Sequence, residues 1–599
     1  MKAFDFSKWD LSGNGSKGML FFAQTIEEML FHYGHDSLKV PALNFRYLCV
    51  ETISTIYKIE ADIIENGNMI PLLEELKDSF ENDLVVRELY GSDFNSLFYG
   101  KDAEGKLSKD CGAIFKDPKA EKSIKKIKKM LEYLIEDMEL GDKYFETLKT
   151  NIMKTIKMVP FSFNEQQRLY RLCKILLTDL INRSYSQEYI YWLVNDIFYN
   201  SSREIKDVDF VFDLFWSCFD FKEKEYMVII PVKQSALEKH LKEFKSINVL
   251  ENEEKYLKGL GKWVVEIKVR AMDQQRALKN AKAYIDFLVS LLQYNNHKSQ
   301  SFYTNKAIVV LNETKERFNI QDPITPLKRS TNLNAEKRNK KIEALMNNLE
   351  IENLMSAIML HASAVNAAEI KNQLLNLWTI VEILVPTEPR NSFSKINQIC
   401  NVVTSVLNAK YISSLIEQLF LDLTHCVPEE ITVELELVSN GANEIEKLVA
   451  ILVLEEYAEN KARLLEKLRW YPLLQYRIEN YATVFSDRNR IKKCLLAHNK
   501  RVALHLARIY RNRNMIVHDG SHFPYMNIIV QNLHYYVDLL IDTIIQCANK
   551  GYDSLDTIYY YIQQKEYRYI LLLEEVDGNK KTKKIDTSDF SSVVLGYLK

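Results

Sequence analysis

Glycine and proline are the residues that most readily interrupt a helix, the first by its conformational freedom and the second by its missing donor and ring clash. This chain has 17 Gly and 12 Pro in 599 residues, so long stretches run without a breaker. Within those stretches apolar side chains recur at three- and four-residue steps, the period of an amphipathic helix. The clearest early examples are 19–33, 43–64, 120–140, 164–182 and 187–199. The expected fold class is therefore mostly α, in several domains, since a chain of this length supports two to four with sizeable cores.

The texture changes near residue 220. Tyr226–Val232, Trp263–Val269 and Ala307–Leu311 are short runs rich in β-branched residues, which read as strands. Helical patterns stand between them at 236–244 and 274–292, and Asp273 is placed to cap the second. This order predicts a small α/β module over 221–320. The prolines and charges from Asp322 onward mark a linker. The expected organisation is a helical N-terminal domain (1–220), the module (221–320), a linker (321–345), a helical bundle (346–565) and a C-terminal extension (566–599). Gly13, Gly15 and Gly18 match a G-x-G-x-x-G spacing. No apolar strand precedes them, so a flexible lead-in to a helix is the reading rather than a nucleotide loop.

Composition excludes some classes. A formal net charge of −2 is not that of a whole-chain nucleic-acid binder, so any contact with RNA has to come from local patches. The eight cysteines are scattered and none forms Cys-x-x-Cys, which suggests neither a zinc site nor a disulfide framework and fits a reducing cytoplasm. No metal and no cofactor is expected. The N-terminal residues lack an apolar leader core, and no uninterrupted apolar run approaches the length of a membrane span. A cytoplasmic protein without a membrane partner is expected.

The most informative stretch is Arg511-Asn-Arg-Asn-Met-Ile-Val-His-Asp-Gly520. An arginine and a histidine held together suffice to cut RNA without a metal. The imidazole moves a proton on the attacking 2′-hydroxyl or the leaving 5′-oxygen, and the guanidinium grips the phosphate and the added charge of its transition state. Between Asp487 and His518 there are nine Lys or Arg against the single acid at 487. Residues 502–517 read as a helix ended by Asp519-Gly520 and Pro524, and a second helix spans 526–547. On a straight helix Arg513 and His518 stand roughly 140° apart, so the site needs the helix to end there or a second chain to complete it. Arg508, Arg511, Lys500 and Arg501 are read as RNA-backbone contacts. A structural reading stands beside the chemical one: a histidine in the last helical turn is favoured by the macrodipole alone.

Arg513-Asn514-x-x-x-His518 resembles the R-x4–6-H motif of HEPN domains in its R-N-x-x-x-H form, near the end of the third helix. Upstream, Leu374-Leu-Asn-Leu-Trp-Thr-Ile-Val-Glu-Ile-Leu384 resembles the early HEPN helix with its W-x-x-x-E spacing, most like the ApeA-type branch. The resemblance covers residues 346–565. It implies a helical bundle pairing as a homodimer, with both motifs facing a shared cleft. It implies a metal-independent endoribonuclease that leaves 2′,3′-cyclic phosphate and 5′-hydroxyl ends. His518 would be the general acid/base, Arg513 the transition-state clamp, Asn514 an orienting residue, and Glu382 the group positioning Arg513 or His518. Trp378 would be core. Glu382 equally continues a polar stripe with Asn376 and Thr379, as an ordinary amphipathic helix does. HEPN toxins silenced by a nucleotidyltransferase carry a Tyr two residues after the His; Gly520 stands there, so that control is not expected.

By the same resemblance, proteins of this size serve as toxin-like effectors in bacterial antiviral defence or abortive infection. A phage-derived or nucleotide trigger would then be sensed by the N-terminal half. Two other readings stay open. The bundle is a catalytically silent dimerisation or RNA-binding scaffold, or the α/β module carries the chemistry.

Overall fold

The helix-rich composition is realised almost throughout, and the fold is mostly α. The computed structural model describes residues 5–30, 39–91, 121–199, 204–232, 247–251, 263–296, 306–320, 335–348, 351, 353–367, 369–386, 395–520, 523, 525–574 and 585–596. In chain order the first helices are α1 (Ser16–Leu30), α2 (Phe45–Glu60), α3 (Met69–Asn82), α4 (Leu84–Tyr90), α5 (Glu121–Glu139), α6 (Lys143–Ile156) and α7 (Phe163–Asn182). Next come α8 (Gln187–Phe198), α9 (Val208–Ser217), β1 (Lys224–Val232), β2 (Ile247–Glu251), β3 (Trp263–Ala271), α10 (Gln274–Asn296), β4 (Ala307–Leu311) and β5 (Arg317–Ile320). The C-terminal helices begin with α11 (Ala335–Met346), α12 (Leu354–Asn366), α13 (Ile370–Leu384), α14 (Lys395–Cys426), α15 (Pro428–Glu436) and α16 (Glu444–Val453). They end with α17 (Ala458–Lys467), α18 (Pro472–Phe485), α19 (Arg488–Asp519), α20 (Met526–Ala548), α21 (Leu555–Glu574) and α22 (Phe590–Leu595).

The chain divides into two units, Asp179–Thr325 and a larger one built from Met1–Thr178 with Pro326–Lys599. In the smaller unit the sheet order is β2-β3-β1-β4-β5, and every neighbouring pair is antiparallel. β3 and β4 flank β1 and so run parallel to each other, joined by α10. The three strands read from sequence are present; β2 and β5 were not foreseen, and the helix expected at 236–244 lies outside the described residues. Val228 and Ile230 of β1 pack with Val265, Ile267 and Val309 against Ala277, Leu278, Ala281 and Ile285 of α10. Ile229, alternating with them, lies with Val264 and Ile308 on the other face, so the central strand is apolar on both sides. Asp273 caps α10 as expected, accepting from the Arg276 N–H at 2.8 Å and from the Ser186 N–H and hydroxyl at 2.7 Å each. Burial pushes its carboxyl above the usual range, against those hydrogen bonds.

The larger unit corrects the expected boundaries. Residues 1–178 do not form a domain of their own, and α8 and α9 belong with the sheet rather than with the N-terminal helices. The physical reason is that the N-terminal helices complete their cores on the C-terminal ones. Phe21 of α1 meets Tyr476 of α18 edge-on at 5.7 Å, and Gln24 Nε2 donates to the Trp470 carbonyl at 2.8 Å. Arg477, fully buried, lies 2.8 Å from both Glu28 of α1 and Asp422 of α14. The expected linker is partly a helix, α11, and its segment 321–334 lies outside the described residues. The C-terminal extension is no appendage: Val593 and Val594 of α22 are fully buried in the core around Leu419 and Leu448. α14 and α20 are long and apolar enough by composition to cross a membrane, but 67% and 78% of their apolar windows are buried inside the fold, as in core helices.

A second buried ion network joins the two ends of the larger unit. Glu51 of α2 takes Arg508 Nε at 3.1 Å and Arg511 Nη2 at 3.0 Å, while Arg508 Nη2 reaches Glu75 of α3 at 2.6 Å. Burial would raise the Glu51 carboxyl, but the two guanidinia overcome it and hold it below the usual range. Removing one member strands buried charge on the others, which costs about 3–5 kcal/mol. Glu51→Ala is therefore expected to lower the stability of the larger unit by roughly that amount in denaturant titration. Glu51→Ala and Glu75→Gln with Arg508→Met and Arg511→Met should cost less than the sum of the separate changes, because no orphan charge remains. Strict additivity would show that the network is not coupled.

Candidate active site

α19 carries the motif, and its ends are set by local chemistry. Asp487 caps it, accepting from the Arg490 N–H at 3.0 Å. Gly520 closes it in the left-handed region at φ 64°, its N–H donating to the Ile516 carbonyl at 3.1 Å. The helix is thus longer than the 502–517 expected, and it remains regular through Asp519. The angular separation of Arg513 from His518 is not removed by an early helix end. Instead Tyr510, Arg513, Asn514 and His518 all line one cavity of about 720 Å³. Around the helix axis Arg513 and His518 stand at the two edges of an arc of roughly 140°, with Tyr510 and Asn514 between them.

The remaining wall comes from the end of α2 and the turn after it: Ile59, Asp62, Ile63, Ile64, Glu65, Asn66 and Asn68. Asp62 follows the helix end at φ 57°. No local pattern pointed to this segment, which is more than 400 residues away in sequence. Nor did the sequence single out Tyr510.

Arg513 is half-buried and directed by two partners. Its Nη1 donates to Asn514 Oδ1 at 3.3 Å, and its Nη2 lies 3.9 Å from Glu382 Oε2. The other Glu382 oxygen accepts from Lys395 Nζ at 3.0 Å. Glu382 sits near the end of α13, one turn after Trp378, which is fully buried as expected and has its ring 5.8 Å from that of Tyr510. That contact seats α13 on α19, so the Trp-x-x-x-Glu spacing brings the carboxylate up to the guanidinium. His518 is exposed at the rim. Arg513, Asn514, His518 and Glu382 therefore gather in one place: a solvent-reached imidazole, a guanidinium oriented by an amide and a carboxylate, and room for a phosphodiester.

Two of the four expected RNA contacts, Arg508 and Arg511, are taken up inside the fold. Arg508 and Arg511 are 1% exposed and bound to Glu51 and Glu75, so neither reaches a polyanion; their charges hold the fold together. Lys500 pairs with Asp78 at 2.5 Å. Arg501 lies over the Tyr411 ring at 5.8 Å and lines a different, smaller cavity. Elsewhere in the basic run Arg488 bonds Asp589 and the Leu572 carbonyl, and Lys492 pairs with Glu574. Sequence alone did not separate these two uses of a basic helix, because the acids that neutralise it come from distant segments.

Comparison with protein-family models, curated proteins and solved structures finds no match to this chain. The chemistry of the cavity therefore has to be read from its own residues.

The last turn of α19 depends on Gly520. A Cβ there meets nothing within 4 Å, but φ 64° is strained for other residues. Gly520→Ala is expected to lower stability by about 1 kcal/mol through this backbone cost alone. Hydrogen exchange should then speed up at residues 516–519 while the first turns of α19 stay protected; uniform protection would show that the cap does not hold this turn.

Proposed function

We propose that this chain is a metal-independent endoribonuclease of the HEPN type. The observation that carries the reading is the gathering of Arg513, Asn514 and His518 on one cavity wall, with Glu382 against the arginine. The reaction is transesterification within RNA. The 2′-oxygen attacks the adjacent phosphorus, the bond from phosphorus to the 5′-oxygen breaks, and a 2′,3′-cyclic phosphate and a 5′-hydroxyl result. His518 takes the proton from the 2′-hydroxyl and returns one to the 5′-oxygen. Arg513 neutralises charge on the pentavalent phosphorane, held in register by Asn514 and Glu382.

The protein works in the cytoplasm as a homodimer. His518 and its neighbour Val517 are exposed at the end of α19, where a second copy can add its own motif to the cleft. The biological role is that of a restrained toxin-like effector in antiviral defence, with the trigger sensed outside the cavity; this part rests on the family resemblance alone.

A second reading is a silent scaffold. It is favoured by Asp62 and Glu65, which place two acidic side chains on the wall that an RNA phosphate must approach.

The test is cleavage of total RNA and tRNA by purified protein in excess EDTA. Wild type should cut and leave cyclic-phosphate ends. His518→Ala should lose about 10²–10⁴-fold in rate, and Arg513→Ala about 10²–10³-fold. Cutting that survives both changes, after contaminants are excluded, overturns the assignment. An inactive wild type whose induction is no more toxic than that of His518→Ala establishes the scaffold.

A further inference from the structure

Away from that cavity, a second cluster brings together three side chains of metal-binding types. His534 and Asp538 lie one turn apart on α20, and His361 comes across from α12. The His361 and His534 rings are stacked with centroids 4.9 Å apart. Their Nε2 atoms are 2.8 Å apart, and Asp538 Oδ1 lies 3.1 Å from the first and 3.6 Å from the second. None of the three lines the Arg513–His518 cavity.

We propose that His361, His534 and Asp538 form a binding site for a divalent transition ion of the zinc type. The first ground is geometric. Two imidazole nitrogens and a carboxylate oxygen converge in a triangle with edges of 2.8, 3.1 and 3.6 Å. Donors about 2.1 Å from one ion stand roughly 3.4 Å apart in a tetrahedral site and roughly 3.0 Å on an octahedral face. The triangle spans both values, and an ion about 2.1 Å from all three donors would stand roughly 1 Å out of their plane.

The second ground is chemical. A single His–Asp hydrogen bond would account for one imidazole facing the carboxylate. Here a second Nε2 is turned to the same point from another helix. Between the two facing nitrogens only one can donate when both rings are neutral, and His534 is 6% exposed in its side chain. A cation accepts all three lone pairs at once. The pairing of soft-borderline nitrogen with one oxygen suits zinc, cobalt or nickel better than calcium or magnesium.

The third ground is access. The side chains of His361 and Asp538 are 29% and 25% exposed, so the ion would reach water on one side. Three protein ligands with a water-filled remaining position is the arrangement of an exchangeable or reactive zinc rather than a closed structural one. Such an ion also bridges α12 to α20, and its binding energy would be folding energy for that pair.

The test uses the full-length protein, stripped with EDTA and passed into metal-free buffer. Cobalt(II) is titrated and its visible d–d absorption followed, and melting is measured with and without added zinc. Wild type should bind one cobalt per chain in a saturable titration, and zinc should raise its melting temperature. His361→Ala, His534→Ala and Asp538→Asn should each weaken cobalt binding at least tenfold and abolish the zinc-dependent rise. His361→Ala, at the exposed edge of the cluster, guards against misfolding of the buried His534 variant. Absence of a saturable one-to-one cobalt site in wild type overturns the proposal, as does tight binding that survives His361→Ala and Asp538→Asn. The proposal is independent of the ribonuclease reading, because the readouts are spectroscopic and thermal.

Discussion

Two full positive charges inside a protein are tolerable only if negative charge meets them there. Arg508 and Arg511 are both driven into the interior by the same helix that carries Arg513 and His518. Glu51 meets both and Glu75 meets one, all from the N-terminal helices. This exchange of charge commits the two ends of the chain to one unit. The α19 helix is therefore held in place by residues more than 400 positions upstream, and the wall of the candidate site is built from the segment immediately after the helix that bears Glu51. The cavity and the ion network are consequences of one packing event: α2 laid against α19.

That packing brings the N-terminal segment to the candidate site. The turn containing Asp62 and Glu65 shares the cavity with Arg513 and His518. Anything that shifts α2 moves the acidic wall relative to the imidazole, and the buried ion network resists such a shift because its charges are expensive to separate.

Much of the fold was legible because helices and strands announce themselves through period. The α7 helix was placed within a residue of its observed start, and β1, β3 and β4 were found from β-branched runs. Asp273 was legible as a cap because capping is a local matter of one carboxylate and the next few N–H groups. What failed was everything set by long-range pairing. β2 and β5 are short strands whose hydrogen-bond partners lie elsewhere in the sheet. The boundary near 220 followed a change in texture, but texture does not report which core a helix completes. Arg508 and Arg511 looked like a polyanion-binding face for the same reason: a basic residue on a helix reads alike whether it meets RNA or a buried glutamate. The meeting of His361 with His534 and Asp538 is of the same kind, since His361 lies 173 residues before His534.

The sequence by itself determined the helical character, the three longer strand runs and the helix end at Gly520, because each follows from local backbone chemistry or from apolar periodicity. Only the tertiary structure decided that residues 1–178 and 326–599 form one unit, that Arg508 and Arg511 neutralise Glu51 and Glu75, and that Tyr510, Arg513, Asn514 and His518 face the turn after α2. Those outcomes depend on which distant segments meet, and meeting is governed by the mutual burial of apolar faces and opposite charges. No window along the chain contains both partners.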